Sequence, residues 1–478
     1  MNWETVIGLE VHVELDTQSK IFCSCPTTFG AKPNENTCPV CIGLPGTLPV
    51  MNEAVVELAV RAGLALGCQI QQVSKMDRKN YFYPDLPKAY QISQYDLPIC
   101  TGGTVEINVD GVTKTIRIHR IHIEEDAGKL IHDEYLPVSY IDYNRGGVPL
   151  IEIVSEADMR SPEEAVAYLR AVRSILQYAG ISDCRMEQGS LRCDGNISVR
   201  PYGQESFNAK VELKNINSFR ELQKALEKEE KRQLELYGFG QGSQVVQETR
   251  RWDAGKGRTI SMRTKEDAHD YRYFPDPDLK PILLKQEEIE KSRQSLPELP
   301  AVKGKRFQEQ YGLSVKEIAI LTGEKALSEF YEETVSNGAP AKQAANWVLG
   351  DLLRCLKERD MEAADQPMDP SRLASLIKLV TEGVISGTAA REVFEDMFET
   401  GREPVDIVEE KGLKQISGAG ELDFIVSQVV SNNPQSVLDY RNGKKQALGY
   451  LMGQVMKASG GQANPSMAKK VLEEKLAE

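Results

Sequence analysis

The chain has 478 residues, 41% hydrophobic and 27% charged, with 58 Lys+Arg against 71 Asp+Glu and a formal charge of −13. This is a globular composition, long enough at about 100–200 residues per domain for two to four domains, and it excludes a disordered chain, a fibre or a uniformly basic nucleic-acid binder. No apolar run approaches 18 residues, and Met1-Asn2-Trp3-Glu4 leads straight into a strand pattern, so neither a membrane span nor a secretory signal is expected and a reducing cytoplasm is the expected compartment.

The first strand pattern is Gly8-Leu-Glu-Val-His-Val-Glu-Leu15. Strict alternation puts Glu10, His12 and Glu14 on one face and Leu9, Val11, Val13 and Leu15 on the other. A solvated charged face has this pattern, and so does a hard-cation site built from carboxylates and an imidazole. Cys23, Cys25, Cys38 and Cys41 follow as C-x-C…C-x-x-C. Close thiol pairs in a reducing compartment hold metal more often than they form disulfides, and four thiolates suit a tetrahedral, structural zinc with no position left open for chemistry.

A helix is expected near Asn52–Leu66. The next segment, Arg78 to Gln91, interleaves basic and aromatic residues between prolines. It reads either as a packed aromatic loop or as one that stacks against a nucleotide or an RNA end. In Ile118–Gly128, Ile121 and Ile123 alternate with His122 and Glu124, and Glu124, Glu125 and Asp126 then run together. Three adjacent acids repel unless a cation compensates.

Ser161-Pro-Glu-Glu164 and Ser218-Phe-Arg-Glu221 are capping boxes that start helices reaching Tyr178 and about Gly238. Between them, Ser190, Arg192, Asp194, Asn196 and Ser198 share one strand face, and Lys210, Glu212 and Lys214 share another. Four strands thus present polar, acid-rich faces, which points to a basin for Mg²⁺ and phosphates: acids hold the metal while Lys and Arg neutralise phosphoryl oxygens. Closely spaced strands with few helices between them predict an α+β fold, a mainly antiparallel sheet with helices on one face.

Ser295-Leu-Pro-Glu-Leu-Pro300 is a linker, and helical patterns such as Ala341–Leu356 and Pro370–Leu379 dominate beyond it. The expected domains are a catalytic region 1–294, a helical domain 295–404 and a helical tail 405–478. Counting from Val405, the tail has nine basic and nine acidic residues, so phosphate contacts through Arg441, Lys444, Lys445 and Lys457 would be few. The chain has no G-x-x-x-x-G-K-[ST] phosphate loop, no G-x-G-x-x-G between strand and helix, and no G-x-S-x-G elbow. ATP use would rest on metal and side chains, and no amide-hydrolysing nucleophile is visible.

Several long strings, in order along nearly the whole chain, resemble one family. They are Gly8–His12, Tyr81-Phe-Tyr-Pro-Asp-Leu-Pro-Lys-Ala-Tyr-Gln-Ile-Ser-Gln94, His122-Ile-Glu-Glu-Asp-Ala-Gly-Lys129, Asp142-Tyr-Asn-Arg-Gly-Gly-Val-Pro-Leu-Ile-Glu-Ile-Val154, Gly189–Asp194, Val211–Phe219 and Gly449–Met456. The family is the B subunit of aspartyl/glutamyl-tRNA(Asn/Gln) amidotransferases, the GatB/GatE family. The resemblance implies a glutamine-synthetase-like α+β domain and a helical tail that contacts tRNA. It implies a heterotrimer with an amidase-type A subunit and a small C subunit. It also implies ATP- and Mg²⁺-dependent phosphorylation of the side-chain carboxylate of Glu-tRNA(Gln) or Asp-tRNA(Asn), with ammonia from the A subunit displacing phosphate. By matched positions, Glu10, His12, Glu124, Glu125, Asp194 and Glu212 are expected at the metal. Glu125, Lys79, Lys88, Arg192 and Lys210 are expected in catalysis, the cations against phosphate or the substrate carboxylate. A stand-alone ATP-dependent carboxylate–amine ligase is the competing reading.

Overall fold

The computed structural model describes residues 2–133, 135–264, 270–416 and 419–477. It divides into two compact units, Met1–Lys303 and Gly304–Glu478.

The first unit is built on a ten-stranded sheet. Its spatial order is Arg258–Thr264, Glu248–Asp253, Val211–Lys214, Leu191–Pro201, Trp3–Glu14, Pro149–Ser155, Val112–Glu125, Cys100–Thr101 and Gln69–Ile70, with Thr104–Val109 hairpinned onto Val112–Glu125. Pairing is antiparallel except between Val211–Lys214 and Glu248–Asp253, whose connection carries the helix Phe219–Gly238. Parallel neighbours need such a crossover, whereas the antiparallel pairs do not.

One sheet face is the core. Leu9, Val11 and Val13 of the central strand are buried in one cluster with Val55 and Leu58 of helix Glu53–Ala65, Leu169, Val172 and Leu176 of helix Pro162–Tyr178, and Leu222 and Leu226 of helix Phe219–Gly238. Each such side chain contributes roughly 1.5–3 kcal/mol on burial. Gly63 lets the first helix close on the sheet, since a Cβ there would lie 2.3 Å from the Cys100 sulfur. The second and third helices begin as expected, with Ser161 Oγ accepting from Glu164 N at 3.2 Å and Ser218 Oγ from Glu221 N at 3.1 Å. The reciprocal half differs from a capping box. Glu164 accepts from the N–H of Arg160 and Glu221 from that of Asn217, one residue before each serine, where the extended serine backbone turns those N–H groups toward the first turn.

The second unit is helical. The pattern over Ala341–Leu356 forms two α segments, Ala341–Trp347 and Leu353–Glu358, joined without a break by a π turn at Val348–Leu352. One core gathers Phe307, Tyr331, Leu352, Leu376 and Phe394, and a separate one gathers Leu422, Val426, Leu451, Val455 and Leu472. Among the described residues no helix is long and apolar enough to cross a membrane. The architecture is the expected one, an α+β region followed by helices.

Candidate active site and metal centres

The face of the sheet opposite the core carries the acids, and register decides which of them meet. His12 pairs with Glu152, and Glu152 with His122, so three polar side chains lie in a row across three strands. His12 Nε2 is 3.7 Å from Glu124 Oε1 and 3.9 Å from Glu152 Oε2. The candidate ligand atoms of His12, Glu124 and Glu152 lie within 4.8 Å of one another. Behind them His122, 3% exposed, places Nε2 2.8 Å from Glu152 and 3.4 Å from Glu124. Burial pulls the His122 pKa down, but Glu152 and then Glu124 outweigh it and raise it to about 9. Burial likewise works to raise both carboxyls, and His122 overcomes it and holds them low. A protonated His122 therefore keeps both carboxylates ionised at neutral pH.

A second group forms one strand further on. Glu10 pairs with Asp194, and their ligand oxygens lie within 4.8 Å of each other and of Glu212. Lys214 Nζ bridges Asp194 at 2.5 Å and Glu212 at 3.2 Å, Thr249 Oγ1 donates to Glu212 at 2.7 Å, and Asn196 Nδ2 donates to Glu10 at 2.9 Å. Burial and then Glu152 raise the Glu10 pKa, while Lys214 overcomes burial and lowers that of Glu212. Two carboxylates with an imidazole, and three carboxylates, are donor sets that fit hard divalent cations.

Near the end of the Glu10–Glu14 strand, Arg192 Nη1 binds Asp126 at 2.6 Å and lies 3.6 Å from Glu14. Burial and Asp126 push Glu14 up to about 8. The guanidinium of Arg192, expected against substrate, is thus already engaged by two acids.

Glu125, also expected at the metal, stands apart from the two acid groups. It follows Glu124 in the same strand, so its side chain points to the opposite face, away from both acid groups. There it accepts from Lys88 Nζ at 2.5 and 2.6 Å and from the Ile92 N–H at 2.8 Å. Lys88 and Glu125 line a cavity of about 110 Å³ together with Lys20, Cys23 and Cys41.

The four expected thiols do converge. Cys23, Cys25, Cys38 and Cys41 place their sulfurs within 4.8 Å of one another, and all four are free of disulfides. Cys23, then Cys38 and Lys20, lower Cys41 to about 5 against the effect of burial, and Lys20 Nζ lies 3.8 Å from its sulfur. Four sulfurs at this spacing fit a tetrahedral zinc.

These open-face groups belong to a domain that can be placed among known proteins. The family described as "GatB/GatE catalytic domain" matches residues 5–290, and the "GatB domain" matches 329–476. The chain belongs to the GatB/GatE family. It is 62% identical over 478 residues, all of both chains, to the second B subunit of the aspartyl/glutamyl-tRNA(Asn/Gln) amidotransferase of Clostridium acetobutylicum. The corresponding B subunits of Clostridium beijerinckii and Thermoanaerobacter pseudethanolicus are 59% and 58% identical, again over the full length of both chains.

In this GatB/GatE chain the remaining expected residues are dispersed. Lys210 lines a groove of about 340 Å³ that also touches Glu10, Asn196 and Ser198. Lys79 Nζ sits over the Tyr271 and Tyr81 rings, 4.9 and 5.7 Å from their centres. In the helical unit Arg441 donates to the Leu476 carbonyl, Lys444 pairs with Asp439 at 3.0 Å, and Lys445 and Lys457 are exposed. Sequence reasoning missed Glu152 as a candidate ligand and His122 as its charge partner. The available signal for Glu152 was a single acid alternating with apolar neighbours in Pro149–Ser155.

Proposed function

We propose that this chain is the subunit of a tRNA-dependent amidotransferase that uses ATP to phosphorylate the side-chain carboxylate of Glu-tRNA(Gln) or Asp-tRNA(Asn) and then directs its amidation. The single observation that carries the reading is the pair of acid groups, His12–Glu124–Glu152 and Glu10–Asp194–Glu212, side by side on one open sheet face. Membership of the GatB/GatE family and the names of its relatives support the substrate assignment.

A free carboxylate resists attack by ammonia because its leaving group would be oxide. Transfer of a phosphoryl group supplies a better one, and the barrier then depends on placing and neutralising phosphoryl oxygens. Divalent cations, Mg²⁺ in this reading, would supply that neutralisation when held by the two acid groups. The residues around them have fixed roles. His122 keeps Glu124 and Glu152 ionised and Lys214 does the same for Glu212, Asn196 orients Glu10, and Lys210 stands at the groove edge for a phosphate oxygen. Arg192 acts through Asp126 as a positioning residue. Lys88 and Glu125 neutralise one another across the sheet from the acids and hold the strand end that carries Glu124. The thiol cluster is read as a structural zinc that ties down the 23–41 loop.

Ammonia is supplied in this reading by an amidase-type A subunit, with a small C subunit completing a heterotrimer in the cytoplasm, and the segment 405–478 contacts tRNA through Arg441, Lys444, Lys445 and Lys457. The working domains remain 1–294, 295–404 and 405–478. A small-molecule ligase is not favoured, because the helical half is retained at full length in the relatives. The test is reconstitution with and without the amidase partner, following ATP cleavage and the amino acid recovered from tRNA. ATP cleavage that ignores aminoacyl-tRNA would refute the reading.

A further inference from the structure

The basic and aromatic segment Arg78–Gln91 has no part in the two acid groups, yet the structure shows what its pattern helps to build. Strand Asp77–Asn80 pairs on one side with Tyr90–Ser93 and on the other with Phe274–Pro275. The chain just before Phe274 is laid along it, with Asn80 N donating to the Tyr271 carbonyl at 3.0 Å. Four tyrosines from two distant stretches of the chain meet as a result. Tyr81 stands edge-on to Tyr271 at 5.7 Å, Tyr271 edge-on to Tyr273 at 6.1 Å, and Tyr273 stacks on Tyr95 at 4.3 Å. The row is not a sealed core: Tyr95 is 51% exposed and the other three are half-buried.

Two cations border the row. Lys79 lies over Tyr271 and Tyr81, and Arg120 Nη1 donates to the Tyr95 carbonyl at 3.4 Å. Among the described residues neither has a carboxylate within 4 Å, whereas Arg192 and Lys214 on the acid face are each held by two. The row also adjoins the acids. Ser93 Oγ, at the end of the paired strand, donates to Glu124 Oε2 at 3.3 Å, and the charges of Glu124 and Glu152, added to burial, raise the Tyr273 pKa. Stacked rings open to solvent at one end, beside cations without a close carboxylate partner, are the chemistry that holds unpaired nucleotides, base on ring and phosphate on cation.

We propose that the Tyr81–Tyr271–Tyr273–Tyr95 row, flanked by Lys79 and Arg120, seats the unpaired 3′-terminal nucleotides of the aminoacyl-tRNA, so that the esterified side chain falls beside Glu124 and Glu152. The proposal rests on the reading of aminoacyl-tRNA as substrate and adds to it the residues that place the acceptor end. ATP is not the occupant. The groove with Lys210 runs along Gly8, Asn196 and Ser198, away from the strand end that carries Glu124, and offers the triphosphate its own place.

The test uses the reconstituted complex with full-length chain and separate titrations of Glu-tRNA and ATP. Tyr273→Leu combined with Tyr95→Leu raises the KM for Glu-tRNA about tenfold and leaves the KM for ATP unchanged, and Tyr273→Phe with Tyr95→Phe restores it by returning the rings. Lys79→Met and Arg120→Met each lower the slope of log affinity for tRNA against log salt by about 0.7, the loss of one single-strand phosphate contact, a readout that a packing role would not move. Unchanged KM for Glu-tRNA in the leucine variant with unchanged slopes in the methionine variants overturns the proposal. So does a rise in the KM for ATP alone, which would make the row a nucleotide-triphosphate site. If the parent complex forms no amide on tRNA, the functional reading falls and this inference with it; if it does and only these variants behave as parent, this inference falls alone.

Discussion

Glu124 and Glu125 are adjacent in one strand, yet one carboxylate sits 3.7 Å from His12 on the open face while the other is clamped by Lys88 on the opposite side. Their substitutions should therefore fail differently. Glu124→Gln removes a candidate ligand and is expected to weaken Mn²⁺ binding, followed by electron paramagnetic resonance, at least tenfold. Glu125→Gln should leave Mn²⁺ affinity intact. It strips the countercharge from a mostly buried ammonium and should destabilise the first unit by about 3 kcal/mol in denaturant melts. Equal loss of Mn²⁺ from both variants would contradict the two-face arrangement.

Glu152 pairs in register with both His12 and His122, and Glu152→Ala is expected to abolish cation binding at that group while the Glu10–Asp194–Glu212 group still binds one ion. Calorimetric titration should count one fewer site. A variant that loses both together would show that the two groups are a single site.

The thiol cluster should carry one zinc per chain by elemental analysis after purification under reducing conditions. Cys38→Ser with Cys41→Ser should release it and lower the thermal midpoint, because the 23–41 loop has few buried apolar side chains of its own to hold it. Sub-stoichiometric metal in a fully reduced preparation would sink the zinc assignment.

In the helical unit Glu317 accepts from Lys342 Nζ at 2.7 Å and from the Ser314 N–H at 2.8 Å. Lys342 first, then Ser314, hold its carboxyl at about 2, below the usual 4.5. Because the folded value lies below the unfolded one, this contribution is complete above about pH 4.5 and is lost as the pH falls towards about 2. Glu317→Gln should cost under about 1 kcal/mol at pH 7, as expected for a partly exposed pair and cap, and the gap between parent and variant in urea melts should close across that window. A gap that is constant with pH would show that the carboxylate charge is not involved.

For the segment 405–478, equal numbers of basic and acidic residues predict a shallow salt dependence of tRNA affinity. Lys444→Ala with Lys445→Ala should weaken Glu-tRNA binding several-fold by filter binding and flatten the slope by less than two. Unchanged affinity after removal of the whole segment would exclude it from the tRNA contact.

Much of this was legible in the residues alone. The alternation Glu10–His12–Glu14 already implied a shared face, because side-chain direction in a strand is a local property with period two. The spacing of the cysteines implied a thiol cluster, and Ser161 and Ser218 announced their helices through local hydrogen-bonding chemistry. The same period should have parted Glu124 from Glu125, but a run of three acids read as one charged feature. What no local pattern holds is register. That Glu152 lies opposite His12, that Glu10 groups with Asp194 and Glu212 rather than with His12, that Asp126 occupies Arg192, and that tyrosines 81, 95, 271 and 273 form one row are all set by which strands pair and at what offset. Those pairings come from burying one continuous apolar face under three helices, a contest among residues up to two hundred positions apart, and so they were decided only when the chain folded.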